Sequence, residues 1–192
     1  TLWPGQNDAI KTRLAWSADA GATWTDAGFV LNDAVDVTLP LAPPNDAGTW
    51  NNEVSRLVYD PGAVVAERWK VLWHHYLWVN GIRAFDHGWI ALKTAPAPGG
   101  PWSAERKLFT GSIYNSADDA IIGPPELKLD LLDVDLGGCL VFSEPGAMAT
   151  ADTLYMVMLG AEGTAQNGRI VLVKWPHAAG AWEYCGSFLV NA

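Results

Sequence analysis

Basic charge, long apolar runs and helical periodicity are all scarce in this chain of 192 residues. Twelve Lys and Arg stand against 21 Asp and Glu, a net charge of −9. Such a surface repels phosphate backbones and anionic lipid alike, so neither nucleic acid nor a membrane is an expected partner. No stretch approaches the roughly eighteen consecutive apolar residues that a helical membrane span needs. No segment combines a 3.6-residue period with helix caps, so long helices are not expected. Cysteine is down to two residues, Cys139 and Cys185. They lack metal-type spacing, and two buried free thiols are expected rather than a disulfide. A nucleophile elbow, a phosphate loop and a zinc motif are all missing, and no cofactor or metal is expected. The acidic run Asp130 to Asp135 lacks the glycine turn and ligand spacing of a calcium loop and reads as a solvated connection.

Apolar side chains and turn formers are plentiful. Hydrophobic residues make up 49% of the chain, enough for a globular domain with a proper core. Eleven tryptophans suit either sheet cores or sugar-stacking surfaces. Strands are expected at Arg13 to Trp16 and Trp24 to Leu31, then at Glu53 to Asp60, Arg68 to Val79, Gly88 to Thr94 and Trp102 to Phe109. A second set of four follows at Cys139 to Ala149, Thr153 to Leu159, Gly168 to Trp175 and Trp182 to Val190. Residues 1 to 12 read as a leading loop, and Asn32 to Asn52 and Thr110 to Leu136 as long proline-interrupted connections. The sets repeat: RLAWSADAGATW, IALKTAPAPGGPW and IVLVKWPHAAGAW each run from an apolar strand through a Gly-rich turn to a Trp, at Trp24, Trp102 and Trp182.

Four short strands per repeat point to an all-β chain, a β-propeller with four-stranded antiparallel blades, with a two-sheet sandwich as the alternative. The expected layout is one domain over residues 1–192, with a half blade at 1–31 and blades at 53–109 and 139–190. Two and a half blades cannot close a ring without exposing apolar faces and strand edges. The expectation is therefore an incomplete set, completed by the remaining blades of a longer chain or by self-association. An opening Thr1 fits a processed or partial chain.

Ser17 to Trp24 reads S-A-D-A-G-A-T-W and matches S-x-D-x-G-x-T-W, the Asp box, at every fixed position. In this the chain resembles the sialidase-like β-propellers. IALKTAPAPGGPW and SEPG also resemble, loosely, blades of the five-bladed glycoside hydrolases acting on arabinose-, xylose- or mannose-containing chains. The resemblance implies a secreted or periplasmic carbohydrate-active protein with a carbohydrate ligand, and a structural rather than catalytic Asp19. True sialidases also use three arginines around the substrate carboxylate, a Tyr and Glu nucleophile pair and an Asp acid. No F-R-I-P segment and only one Asp box are found here, so sialidase activity itself is not implied.

Glycoside hydrolysis generally needs two carboxyl groups facing one bond. Glu53, at the head of EVSRLVYD, and Glu144, in FSEPG, fall at matching places when the blades are superposed, and they are the candidate catalytic pair. Each could equally cap a turn or form a surface ion pair. Arg56, three residues beyond Glu53, is a candidate substrate-binding or ionisation partner. His74 and His75 are adjacent in a strand and point to opposite faces, so they cannot both ligate one metal. His75 and Trp78 are candidate substrate contacts, the indole as a sugar platform, against a plain core role for each. Two function classes stay open: a glycosidase-like propeller, and a non-catalytic module binding glycan or protein.

Overall fold

The computed structural model describes residues 10–31, 36–37, 48–79, 82–162 and 167–189. The expected leading loop up to residue 9 and the prolines Pro40, Pro43 and Pro44 lie outside the described residues. The described residues are mostly β, in three sheets, none closed into a barrel. The first sheet is a hairpin of β1 (Thr12–Trp16) and β2 (Thr25–Leu31). The second runs in order through β3 (Asp36–Val37), β4 (Gly48–Tyr59), β5 (Trp69–Val79), β6 (Ile82–Ala95), β7 (Arg106–Thr110) and β8 (Leu127–Lys128). The third is formed by β9 (Cys139–Ala149), β10 (Thr153–Glu162), β11 (Asn167–Pro176) and β12 (Glu183–Leu189), each beside the next. Neighbours are antiparallel except β7 and β8, which are parallel.

Every expected strand lies within or beside an observed one, and the differences are instructive. β4 begins at Gly48, five residues before the expected Glu53, because Thr49 to Asn52 pair with Trp78 to His75 of β5. Polar Thr and Asn read as loop by composition, yet a strand long enough on one side supplies backbone partners for them. β3 and β8, two residues each, arise inside the expected connections and widen the second sheet from four strands to six. The acidic connection is not uniformly solvated: Asp130 is buried in a 3-10 turn, and burial raises its carboxyl pKa. Both cysteines are free thiols, but only Cys139 is buried.

The hairpin turn is organised by Asp19. One carboxylate oxygen accepts from Thr23 N (2.8 Å) and from Ser17 Oγ (2.7 Å), and the other from Thr23 Oγ1 (2.6 Å). Ser17 Oγ in turn accepts from Gly21 N at 2.7 Å. Gly21 sits at φ +96°, where a side chain would strain the backbone. The indole of Trp24 folds back, its N–H donating to Gly21 O at 3.1 Å. Hydrogen bonds from Thr23 and Ser17 hold the Asp19 carboxyl down to about 2. Its stabilising share is therefore complete above the usual Asp range near 4 and disappears as pH falls through about 2. Asp19→Ala is expected to lower the melting temperature by a few degrees at neutral pH, read by thermal denaturation, and to leave ligand affinity unchanged.

The second sheet carries a core on each face. Leu72, Ile90, Leu92, Leu108 and Phe109 pack with Phe142, Leu154, Met156, Met158, Val171 and Val173 of the third sheet. On its other face Trp50, Val71, Trp73, Leu77 and Trp89 form a cluster that reaches Val30 of the hairpin and Trp102. The second and third sheets thus pack face to face, with β4 against β9, and the hairpin meets the other face of the second sheet at Val30. The far face of the third sheet presents Met148, Val157, Ile170 and Phe188, the last 70% exposed.

Candidate functional site

β4 and β9 are each interrupted by a bulge near the middle of the strand. In β4, Glu53 pairs with His74 and Arg56 with Leu72, so Val54 and Ser55 together face Trp73. In β9, Ser143 pairs with Leu159 and Gly146 with Val157, so Glu144 and Pro145 together face Met158. Such bulges bend a strand and re-aim its side chains, and they concentrate beside functional sites. Glu53 and Glu144 are each the sixth residue of their strand, near its middle and not at its head. The ladder register also corrects their superposition by one residue: Glu53 immediately precedes its bulge, whereas Glu144 is inside its own. Glu144 adopts φ +53°, a left-handed conformation unfavourable for a non-glycine residue, and its side chain is exposed.

Glu53 is set in a polar and aromatic cluster. Tyr76 Oη donates to Glu53 Oε2 at 2.8 Å, and Arg83 Nη2 lies 3.5 Å from Oε1. Burial and the bond to Glu53 raise the pKa of Tyr76, so the phenol stays a donor across the physiological range. His74, on the same face as its cross-strand partner Glu53, stacks on Phe85 with ring centroids 5.3 Å apart. Its Nε2 has no hydrogen-bond partner among the described residues, and burial, then the nearby His75 and Arg83, holds its pKa down to about 3.

Tyr76 owes its position to a wide irregularity in β6. His75 pairs with Trp89 and Leu77 with Ala84, which leaves Phe85 to Gly88 opposite Tyr76 alone. Gly88 makes this crossing possible, because a Cβ there would lie 2.9 Å from Tyr76 Cβ. The loop it releases carries His87, which forms a buried pair with Asp118 (Nδ1 to Oδ2, 2.6 Å).

Arg56 and His75 lie elsewhere. The cation beside Glu53 is Arg83, while Arg56, beyond the bulge, lines a cleft with Arg13, Val30, Leu57 and Trp102 between the first and second sheets. His75 is enclosed by aromatic rings, stacked on Trp89 at 4.8 Å and edge-on to Trp50 at 4.7 Å. Its Nδ1 accepts from Trp73 Nε1 at 3.3 Å and lies 3.3 Å from Glu105 Oε2, so His75 is buried in the core. Burial pushes the Glu105 carboxyl up, but hydrogen bonds from His75 and Trp89 outweigh it and the net shift is downward. Trp78 is half-buried near the end of β5, paired with Thr49 and Arg83. Tyr76 and Arg83 were not signalled by the sequence, since the four-residue excursion that brings them to Glu53 has no motif. Among the described residues, no group of His, Cys, Asp and Glu is arranged to hold a metal. No family model, curated protein or solved structure matches the chain.

Proposed function

We propose that this chain is part of a β-propeller carbohydrate-active protein, with its three sheets as successive blades and Glu53 and Glu144 as the catalytic carboxyl pair of a glycoside hydrolase. The observation that carries the reading is a bulge near the middle of both β4 and β9, strands packed together across the interface of the second and third sheets, with Glu53 just before one bulge and Glu144 inside the other. Glu53 already accepts from Tyr76 on one oxygen and has the Arg83 guanidinium 3.5 Å from the other, and has the role of nucleophile or base. Glu144 has no hydrogen bond or ion pair among the described residues and stands on strained, exposed backbone, which suits the acid that protonates the leaving oxygen. Trp78 offers the ring platform for the sugar.

Glu53→Gln and Glu144→Gln, assayed on a panel of chromogenic glycosides beside binding of the same sugars, test this. Loss of at least about a hundredfold in turnover with binding retained is the expected result for each. A parent with no turnover on any glycoside, yet with sugar binding intact, replaces the enzyme with a glycan-binding module.

A further inference from the structure

The far face of the third sheet repeats the pattern of a face that is buried elsewhere in the molecule. The bulges give the alignment: Leu72 is the cross-strand partner of the residue just past the β4 bulge, as Val157 is for β9. On the next strand their partners are Leu92 and Leu172, and before the bulges His74 with Ile90 matches Leu159 with Ile170. Leu72, Ile90 and Leu92 are covered by the third sheet. Val157 and Ile170, at matching positions, are open to solvent. Beside Val157 lies an apolar hollow of about 490 Å³, lined by Gly146, Ala147, Met148, Tyr155, Val157 and Leu172. Glycine keeps it open, because a Cβ on Gly146 would stand 3.0 Å from Val157 Cγ2. The same face carries a knob: Phe188, the cross-strand partner of Ile170, is 70% exposed.

An apolar sheet face of this kind packs on another sheet, as the second sheet does on the third. The second sheet already has a core on each face, so the broad apolar sheet face left to offer among the described residues is the far face of the third. A second copy therefore meets it with the same face. Charge permits this although each chain carries −9, because the charged residues at these cross-strand positions, Lys174 and Glu183, neutralise each other at 3.0 Å. Four strands about 4.8 Å apart and about 30 Å long give a footprint of about 600 Å², the upper end of what monomers leave open. Covered on two copies, it reaches the roughly 1,200 Å² at which specific interfaces begin. A two-fold axis between the faces, midway from knob to hollow, seats both knobs at once and closes the assembly at two chains. We infer that the chain forms a two-fold dimer through the far face of the third sheet, Phe188 of each copy seated in the Gly146 and Val157 hollow of the other. This dimer forms whether or not Glu53 and Glu144 are catalytic.

Sedimentation velocity from about 1 µM to about 1 mM, in reducing buffer because Cys185 is exposed, tests this. The expected result is a reversible monomer–dimer equilibrium with a micromolar midpoint, retained in high salt because apolar contact and not charge drives it. Phe188→Asp removes the knob and Val157→Lys blocks the hollow. Each is expected to weaken the dimer at least about a hundredfold, since a two-fold contact then takes in two unpaired charges. Both side chains face solvent in the single chain, so each variant is expected to keep the parent's circular dichroism spectrum. Mixing the two variants is the sharper measurement. In a mixed pair the new carboxylate of one copy meets the new ammonium of the other, while the second knob and hollow are unaltered. Association is then expected to return to within about tenfold of the parent's. A parent that stays monomeric at the highest concentration, or a mass that grows past two chains, overturns the inference. Loss of the dimer in high salt, single variants that associate as the parent does, or a mixture of folded variants that stays monomeric overturns it as well.

Discussion

Phe109→Ala is expected to lower the unfolding free energy by about 3 to 5 kcal/mol, the cost of emptying a large aromatic site in a core that cannot fully collapse. Phe109 is 0% exposed and its ring meets Trp182 edge-on at 4.8 Å, so it links β7 to the last hairpin of the third sheet. Its neighbour Leu108 is equally buried, because a register shift between Ile90 and Ala91 turns both residues inward. Against a total stability of about 5 to 15 kcal/mol for an ordinary domain, this single truncation removes a large share. Urea denaturation would show it as a lower midpoint at unchanged slope. A loss below about 1 kcal/mol would mean that the second and third sheets do not dock through this residue.

The second large effect is a sensitivity to acid centred on His74. In the folded chain its imidazole is buried and neutral, with a pKa near 3 against 6.5 when exposed. The direction follows from proton counts. Between these two values the unfolded chain binds a proton at His74 that the folded chain does not, so stability falls as pH falls. It is fully present above about 6.5 and declines toward 3, by up to about 1.4 kcal/mol per pH unit. The groups facing His74 are Glu53, Tyr76 and Phe85 on its own side, with Arg83 and His75 adding positive potential. Asp19 titrates near 2 and contributes mainly at the acid end of this window. His74→Phe keeps a ring against Phe85, and its stability profile from pH 7 to pH 4 is expected to be markedly flatter than the parent's. Identical slopes in the two proteins would contradict the assignment.

Sequence pattern located the eight strands of the two large repeats and the hairpin because alternation and turn residues are local signals. The SADAGATW turn was legible as a motif, since Ser17, Asp19, Gly21 and Thr23 act on one another within a few residues. β3 and β8 were not legible: two residues carry no period, and each exists only because a longer strand offers it an edge. The glutamates were found by matching repeats, but a bulge shifts register without a sequence mark, and the offset between Glu53 and Glu144 could not be read. The partners Tyr76 and Arg83, like the contact of Asp60 with His177 across 117 residues, depend on how distant segments meet. No local pattern encodes such pairings.

The two-sided core of the second sheet restricts how this chain can vary in length. Along β5, Val71, Trp73 and Leu77 belong to one core and Leu72 to the other, while His75 faces Trp73's side and His74 and Tyr76 face Glu53. Deleting or adding one residue within β5 would exchange the two sets, sending indoles toward the third sheet and the histidine–tyrosine face toward the hairpin. A strand with one solvated face can slip and lose one core, whereas β5 would lose both together. Insertions and deletions are therefore confined to turns such as residues 150–152 and 177–181, and the strand at the middle of the stack is the segment whose length is fixed.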